Sequence, residues 1–462
     1  MARLIFLSLL ASGSLASVAA PWIGVVIAYG LAILTPQAIW HWAFEGVRPV
    51  LWILVPTFIG VVFAGLRGKL NFSGLANARC AYLALLWLFF TLSYLFGPYV
   101  SVVSPYRFHD ASWVMETAHK QFLVFFIGCL CLDDTKKLRA LIWVTAISLL
   151  YLIYWANSQY LSGHVWGRLA GPSDPRGGSV YADENAFALV FVVLIPYLWH
   201  LGLTVRQRWL RLILWLAIPF AWHAIFLTAS RGGLLGLAIV TLVVSLRSRM
   251  KRLSVLLIPA LVVAYIWQAG DLMKERADSI DQFQQEQSAS ARLQIWGIAR
   301  AMIADHPFLG VGLASFGPAF PSYSSDQPLV AHNTFFQVAA ESGVLAGLLF
   351  LLVILSSIKA LLAKSKSLSA YPDDPNAVFV RSVSEATLAA MIGFLVCAMF
   401  LSLQLYELFY FLCLVTNVVV IIGARIQHAH AQTMDDSHQK VDPASMRRSG
   451  FSRARRSAAL KL

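Results

Sequence analysis

The residues best suited to chemistry lie where a long apolar run begins in the last third of the sequence. His332 stands at the start of a nearly uncharged run that continues to Leu362. If this run is one membrane-spanning helix, His332 lies at the boundary between water and lipid, and Glu341 lies about 13 Å deeper. An imidazole with an ordinary pKa of about 6.5 is mostly neutral at pH 7, so His332 is a candidate proton acceptor.

Three polar side chains in this run share one helical face. Counting by fours gives Asn333, Gln337 and Glu341, whose side chains then form a row. Polar groups within a membrane face protein rather than lipid, so the row predicts contacts with neighbouring helices. Hydrogen bonding between helices is the alternative to a chemical role for Gln337 and Glu341, and capping of a helix is the alternative for His332.

The composition indicates an integral membrane protein. The 462 residues are 58% hydrophobic and 13% charged, which is about half the charged fraction of soluble domains. Apolar stretches long enough to cross a hydrocarbon core of about 30 Å recur along the chain. We expect an all-α, polytopic fold of about 12 transmembrane helices, or 13 if the apolar stretch before Thr35 forms two.

Basic residues occupy every second loop between the apolar stretches. By the positive-inside rule these loops face the cytoplasm, so the net charge of +13 indicates topology and contact with anionic lipids rather than nucleic-acid binding. The other loops, including the long segment 270–331, are then expected on the outer face with His332. Residues 1–426 are predicted to form the transmembrane domain and residues 427–462 a basic, disordered cytoplasmic tail.

Two arginines in the outer loops are candidate ligands for an anion. Arg231 lies between two apolar stretches with almost no loop, directly after Ser230 and before Gly232. Its alternative role is that of an arginine that snorkels from a helix end. Arg176 lies in an outer loop rich in glycine and proline, and an ordinary solvated arginine is equally consistent with that position.

A third arginine belongs to a predicted amphipathic helix in the segment 270–331. Arg292 is spaced to share an apolar stripe with Trp296, Ala299 and Ile303, and serines at 288 and 290 are candidate caps. We expect this helix to lie on the outer surface and to end at the sequence Asp-His-Pro of residues 305–307. An arginine on an apolar stripe requires a partner.

Two or three arginines and one histidine on one face predict a site for an anionic ligand. The outer loops contain no Asp-x-Asp or Glu-x-Asp pattern, which argues against a site for a divalent metal. The planar guanidinium group matches phosphate in a bidentate manner, so a diphosphate would require at least two such partners. No cofactor is indicated, and the five cysteines show neither metal-ligand spacing nor a disulfide pattern.

Three separated motifs support a more specific hypothesis. They are residues 230–233, residues 292–296 running into 305–312, and residues 332–333 continuing through 341–343 to Gly347. Their order and spacing resemble the O-antigen ligase and polymerase family over about residues 225–350. The early stretches 20–24, 40–44 and 182–188 are similar to the branch described as exosortase-associated O-glycosylation ligases.

The resemblance implies a multi-pass enzyme of the bacterial inner membrane with a lipid-open cleft, roofed by residues 270–331, on the periplasmic side. Such an enzyme transfers a preassembled glycan en bloc from undecaprenyl diphosphate to a hydroxyl acceptor, either a lipid A-core sugar or a protein Ser/Thr, without a metal. By motif, His332 would be the general base, and Arg231 and Arg292 would bind the diphosphate. Arg176 has no counterpart in the motifs and stays a prediction from the residues alone. Four further residues are expected to support these groups: Ser230, Asn333, Trp296 and Glu341.

Two other functions are open at this point. A polymerase of the same family would share the chemistry and differ only in its acceptor. A transporter of a lipid-linked sugar would use the arginines as a transit site, but few charged residues occur along the middle of the apolar stretches. No internal repeat is evident either, so the sequence favours the transferase.

Overall fold

The computed structural model describes residues 2–103, 110–165, 167–173, 179–280 and 284–440. Helices account for 77% of the described residues, and no strand occurs within these ranges. The all-helical prediction is therefore confirmed. The helices of the described ranges are α1 (Ala2–Ala19), α2 (Pro21–Leu34), α3 (Pro36–Ile39), α4 (Pro49–Leu66), α5 (Ala78–Phe96), α6 (Ala111–Cys131), α7 (Thr135–Leu161), α8 (Glu184–Gly202), α9 (Arg208–Thr228), α10 (Arg231–Arg247), α11 (Lys251–Val255), α12 (Leu257–Ile280), α13 (Gln284–Asp305), α14 (Phe316–Ala319), α15 (Thr334–Ser342), α16 (Val344–Leu368), α17 (Pro375–Ala398) and α18 (Glu407–Lys440).

The chain is a multi-pass membrane protein. Within the described ranges, ten helical segments are long and apolar enough to cross a membrane. They are α4 to α9, the segment Lys251–Gln268, α16, α17 and the segment Glu407–Thr433. The apolar helix α10 is slightly shorter, with 17 residues.

The opening apolar stretch forms a hairpin of two helices. The Arg3 guanidinium donates to the Glu45 carbonyl at 3.1 Å, and the Phe6 ring stacks on Trp40 with centroids 4.9 Å apart. The start of α1 therefore lies beside the segment that follows α2. One residue separates the two helices, and Pro21 at the start of α2 has no N–H to continue α1. The structure thus has the two-helix opening on which the count of 13 depended.

The apolar run from 332 to 362 is not one helix, and this part of the prediction is wrong. The chain breaks between α15 and α16 because Gly343 has a φ of 91°. A Cβ on Gly343 would lie 2.1 Å from the Phe308 carbonyl oxygen, so both the conformation and the contact require glycine. His332 and Glu341 consequently belong to a separate short helix and its entry, and they do not mark successive depths of one membrane span.

The segment 270–331 and the C-terminal segment from residue 427 both contain more helix than the sequence predicted. α12 continues into the segment 270–331, and α13 begins at Gln284. Ser288 and Ser290 therefore lie inside α13 and do not cap it, contrary to expectation. α18 extends to Lys440, past the predicted start of the tail at residue 427, and residues 441–462 lie outside the described ranges.

α8 lies at the centre of the bundle and packs against α9, α10 and α17. Small residues let these helices approach closely. A Cβ on Gly233 would lie 2.7 Å from the Ala188 Cβ, and one on Gly236 would lie 2.7 Å from the Cys397 Sγ. Because lipid tails provide no hydrophobic drive between helices, such close packing is a principal source of helix association. These contacts hold the start of α10, which carries Arg231, against α8 and α17.

Candidate active site

Arg231 is the first residue of α10, and its backbone is held by a buried cap. Ala229 has a left-handed φ of 48°, which turns the chain sharply between α9 and α10. The buried Ser230 hydroxyl accepts from the Gly233 N–H at 3.1 Å, a standard N-cap contact. The Arg231 side chain is exposed and has no hydrogen-bond or ion-pair partner among the described residues. Its positive charge is therefore available to a ligand.

Phe400 connects the start of α10 to Arg292. The Arg292 guanidinium carbon lies 5.9 Å from the centroid of the Phe400 ring, within the range of a cation–π contact. A Cβ on Gly232, the neighbour of Arg231, would lie 3.6 Å from the Phe400 Cβ. The structure therefore brings the two predicted arginines to the same end of the bundle, which we call the site end.

The position of Arg292 on its helix differs from the prediction. The buried face of α13 consists of Ile295, Ile298, Ala299 and Met302. Arg292 is exposed at the edge of this face and does not lie in the middle of an apolar stripe. The partner of Arg292 is the Phe400 ring. No described carboxylate neutralises the Arg292 charge, as is also the case for Arg231.

His332 lies at the entry of α15 in a strained backbone conformation. Its φ is 47°, a left-handed value that is uncommon for residues other than glycine. The Asn333 side chain caps α15 by accepting from two N–H groups of its first turn at 3.0 and 3.2 Å. On the other side, Trp296 Nε1 donates to the Ala331 carbonyl at 3.1 Å, and the Ala331 N–H donates to Gln337 Oε1 at 2.8 Å. The backbone on both sides of His332 is therefore fixed.

The surroundings of His332 favour its neutral form. The pKa of the imidazole is lowered from its usual 6.5, first by burial and then by the positive charge of Arg292, while Asp183 acts in the opposite direction. Asp183 is the N-cap of α8 and accepts from the Ala186 N–H at 2.9 Å. A neutral imidazole beside a guanidinium group is an available proton acceptor at pH 7.

Glu341 supports the His332 entry from inside the protein. The carboxylate accepts from the Phe316 N–H at 3.3 Å and from Gln337 Nε2 at 2.7 Å. The Gln337 oxygen accepts from the Ala331 N–H. The Gln337 side chain therefore links Glu341 by hydrogen bonds to Ala331, the residue before His332. Burial raises the pKa of Glu341 to about 7. Of the predicted row, Gln337 and Glu341 lie one turn apart in α15 and bond each other, whereas Asn333 is the extended N-cap of that helix and donates to the Met399 carbonyl.

The second and third sequence motifs interlock through their backbones. The Val311 N–H donates to the Ala340 carbonyl at 2.8 Å, and the Gly312 N–H donates to the Glu341 carbonyl at 3.1 Å. A Cβ on Gly310 would lie 2.3 Å from the Glu341 carbonyl carbon. The glycines of both motifs therefore permit a close contact that fixes α15 relative to the end of α13.

Arg168 is a neighbour of the site that the sequence reasoning missed. Its Nε donates to the Thr228 carbonyl at 3.0 Å, one terminal nitrogen donates to Asn185 Oδ1 at 3.1 Å, and the other lies 3.6 Å from Glu184 Oε2. It therefore ties the end of α9 to the start of α8. Arg176, the predicted arginine of the same loop, lies outside the described residues. The local sequence does not distinguish the two, since both stand beside glycine in a turn-rich loop.

The described part of the chain contains no group of three or more His, Cys, Asp or Glu side chains placed to hold a metal ion. The five cysteines are free and buried. Within the described residues, the groups that remain for chemistry at the site end are two guanidinium groups without an anionic partner and the imidazole, whose pKa is lowered. Together they can bind an anion and accept a proton beside it.

Comparison with known proteins identifies a domain that contains these groups. Residues 216–351 match the family model described as O-antigen ligase, and this region includes Arg231, Arg292, His332 and Glu341. A search of curated proteins finds no match. The family indicates a membrane enzyme of glycosyl transfer that acts on a lipid-linked glycan and an acceptor. Residues 216–351 of this multi-pass helical membrane protein are therefore similar to the O-antigen ligase family.

Proposed function

We propose that this protein transfers a preassembled glycan en bloc from undecaprenyl diphosphate to a hydroxyl acceptor, either a lipid A-core sugar or a protein Ser/Thr. The observation that carries the proposal is the meeting of His332, Arg292 and the start of α10 at one end of the bundle. The imidazole lies in the electrostatic field of Arg292, and Arg292 shares Phe400 with the residue next to Arg231.

In the proposed reaction, the acceptor oxygen attacks the anomeric carbon of the first sugar. A new glycosidic C–O bond forms as the C–O bond to the diphosphate breaks, and the leaving group takes the electron pair as undecaprenyl diphosphate. The acceptor proton passes to His332, whose lowered pKa keeps it neutral and ready. General-base assistance of this kind typically contributes a factor of about 10² to 10⁴.

The arginines stabilise the charge that grows on the leaving diphosphate. Guanidinium groups bind phosphate oxygens in a bidentate manner, and groups placed before the reaction stabilise the transition state more than the ground state. Arg231 and Arg292 have no described anionic partner to displace. Arg176 remains a proposed third ligand.

The remaining predicted residues hold these groups in place. Ser230 and Asn333 cap the helices that begin at the site. Trp296 and Glu341 fix the backbone before His332, the first directly and the second through Gln337. We place the site end on the periplasmic side of the inner membrane, because the basic loops at the opposite end follow the positive-inside rule.

The test is a mixing assay in detergent with purified protein, lipid-linked glycan and candidate acceptors. A ligase makes a heavier acceptor, whereas a polymerase makes a longer glycan on the lipid carrier. A transporter makes neither, because detergent leaves no compartments. We expect His332→Ala to lose transfer by about 10² or more. The control His41→Ala, at an exposed position between α3 and α4, should retain it. Full transfer by His332→Ala would refute the base assignment.

A further inference from the structure

A cluster of arginines lies where α10 meets α17, at the end of the bundle opposite to the site end. The Arg247 guanidinium donates to both carboxylate oxygens of Glu385, at 2.6 and 3.0 Å. Arg381 precedes Glu385 by one turn of α17, so the helical repeat places the two on the same face. Arg249 follows Arg247 by two residues. Three guanidinium groups are therefore grouped around one carboxylate.

The positive charge of this cluster exceeds its negative charge. Glu385 is buried and accepts from the Ser365 hydroxyl as well as from Arg247. Arg249 and Arg381 have neither a hydrogen bond nor an ion pair with any described residue. The pKa of Arg249 is lowered, first by partial burial and then by the positive charge of Arg381, while Glu385 acts in the opposite direction. Two guanidinium groups thus lie close enough to repel each other, and each lacks an acceptor for its N–H groups.

The backbone that carries Arg249 is held in place by the residue before it. The Ser248 hydroxyl accepts from Trp199 Nε1 of α8 at 3.0 Å and from the Met250 N–H at 3.3 Å. The linker between α10 and α11 is therefore fixed to the centre of the bundle. Since this contact keeps Arg249 near Arg381, an anion that bridges the two side chains would remove their repulsion.

The surface beside Arg249 is apolar and exposed. Leu246 and Met250, on either side of Arg249 in the sequence, are both exposed, and the membrane-spanning segment Lys251–Gln268 begins two residues after Arg249. The arginine therefore lies where lipid chains meet water, the level at which the phosphate groups of phospholipids lie. Guanidinium groups bind phosphate oxygens in a bidentate manner, so a phospholipid offers both the missing anion and apolar chains for the neighbouring surface.

We propose that Arg249 and Arg381 together bind the phosphate of an anionic phospholipid whose acyl chains lie along Leu246 and Met250. The surplus positive charge matches a headgroup of net negative charge, as in phosphatidylglycerol or cardiolipin. Phosphatidylethanolamine fits less well, because its ammonium group neutralises the phosphate. The proposal does not rest on the proposed function, since these residues lie at the opposite end of the bundle from His332.

Native mass spectrometry of the full-length protein in detergent tests the proposal. The wild type, Arg249→Gln and Arg381→Gln are titrated with phosphatidylglycerol or with phosphatidylethanolamine of the same chain length, and the Kd of the most tightly bound lipid is measured. Each variant should bind phosphatidylglycerol about tenfold or more weakly, because it loses charge-assisted hydrogen bonds to phosphate. Arg206→Gln is the matched control. It removes one exposed charge from the loop after α8 and should bind like the wild type.

Thermal unfolding separates lipid binding from a general loss of stability. In lipid-free detergent, the Arg249 and Arg381 variants should have a Tm equal to or above that of the wild type, because each removes one of two repelling charges. Added phosphatidylglycerol should raise the Tm of the wild type and of Arg206→Gln, and it should raise the Tm of the two variants less.

Four results would overturn the proposal. The first is a lower Tm of both variants in lipid-free detergent, which would show that the two arginines stabilise the protein without a lipid. The second is binding of phosphatidylethanolamine as tight as that of phosphatidylglycerol. The third is an affinity for phosphatidylglycerol that is unchanged in both variants or falls equally in Arg206→Gln. The fourth is an equal rise in Tm with inorganic phosphate or glycerol phosphate, which would assign the site to a free phosphate.

Discussion

Replacing Glu341 with Gln tests how the buried carboxyl group affects the stability of the segment that leads into His332 and α15. Glu341 accepts from the Phe316 N–H and from Gln337 Nε2, and a Gln at this position still offers an acceptor oxygen. Gln404 Nε2 lies 3.4 Å from the other carboxylate oxygen, while Gln404 Oε1 is buried without a partner. If the Gln404 amide turns over, its oxygen can accept from the new amide at 341. The substitution therefore preserves the network and removes the ionisable group.

The magnitude follows from the pKa of this carboxyl group. Burial raises the pKa of Glu341 from 4.5 to about 7, so the folded protein keeps the proton over a pH range in which the unfolded chain has lost it. The free energy of unfolding consequently falls as pH rises from 4.5 to about 7 and stays lower above that range. At 1.36 kcal/mol for each pH unit, the total loss is about 3 kcal/mol. Glu341→Gln should abolish this loss.

Thermal unfolding of the purified protein in detergent checks the prediction between pH 4.5 and 8. We expect Glu341→Gln to match the wild type at the acidic end and to have the higher Tm above pH 7. Glu385→Gln is the matched control, because Glu385 accepts from Arg247 at 2.6 and 3.0 Å and its removal should destabilise the protein. A Tm for Glu341→Gln that is below that of the wild type at pH 8, or a difference that does not change with pH, would refute the reasoning.

Three further predictions concern the chemical groups and the motif glycine. Arg231→Lys and Arg292→Lys keep the charge but lose the planar fork, so kcat/KM for transfer should fall about tenfold or more in each. Since Arg292 lowers the pKa of His332 and Asp183 raises it, Arg292→Gln should move the acidic limb of the pH–rate profile to higher pH. Asp183→Asn should move it to lower pH and keep the cap of α8. Gly343→Ala should lower the Tm, because a Cβ there has neither a favourable φ nor space.

Each of these predictions has a result that would contradict it. Wild-type turnover in both lysine variants would show that a point charge suffices and that bidentate contact is unnecessary. Shifts of the pH–rate profile in the same direction for the Arg292 and Asp183 variants would remove His332 as the titrating group. For Gly343, the control is Gly297→Ala in α13, where a Cβ meets no atom within 4 Å and should be neutral or stabilising. Equal losses of Tm in the two alanine variants would refute the steric argument.

Sequence reasoning captured the features that depend on local pattern. Apolar runs of membrane length predict spans because each helix must satisfy its own backbone in lipid. The spacing of Gln337 and Glu341 predicted a shared face because the helical repeat alone fixes it, whereas Asn333, the third residue of the predicted row, is the N-cap of the helix. The break at Gly343 could not be predicted, since a glycine within an apolar run is compatible with a helix and the carbonyl that excludes a Cβ comes from Phe308, in a distant part of the sequence.

The same distinction explains the choice between two arginines in one loop. Arg168 and Arg176 occur in similar turn-rich surroundings, and the partners of Arg168 come from the end of α9 and the start of α8. Those helix ends become neighbours only after the bundle has formed. The buried face of α13 differs from the predicted apolar stripe for a related reason. α13 packs against α15 and the residues after Asp305, and this packing buries Ile295, Ile298 and Met302.

The motif residues fall into two classes: glycines that pack against backbone, and charged or polar residues whose side chains are available to a ligand. The glycines at 310 and 343 meet backbone atoms within 2.1–2.3 Å of a notional Cβ, so they join the end of α13 to α15 and cannot take part in chemistry. Arg231 and Arg292 end outside the packed interior and have no described anionic partner. His332 is held by its backbone, and its imidazole has no hydrogen-bond partner among the described residues. A substitution at either glycine should therefore reduce stability and activity together, whereas a substitution of an arginine or of His332 should reduce activity at unchanged Tm. Transfer rates and Tm values measured on the same variants separate the two classes, and a loss of Tm in His332→Ala comparable to that in Gly343→Ala would show that the division is wrong.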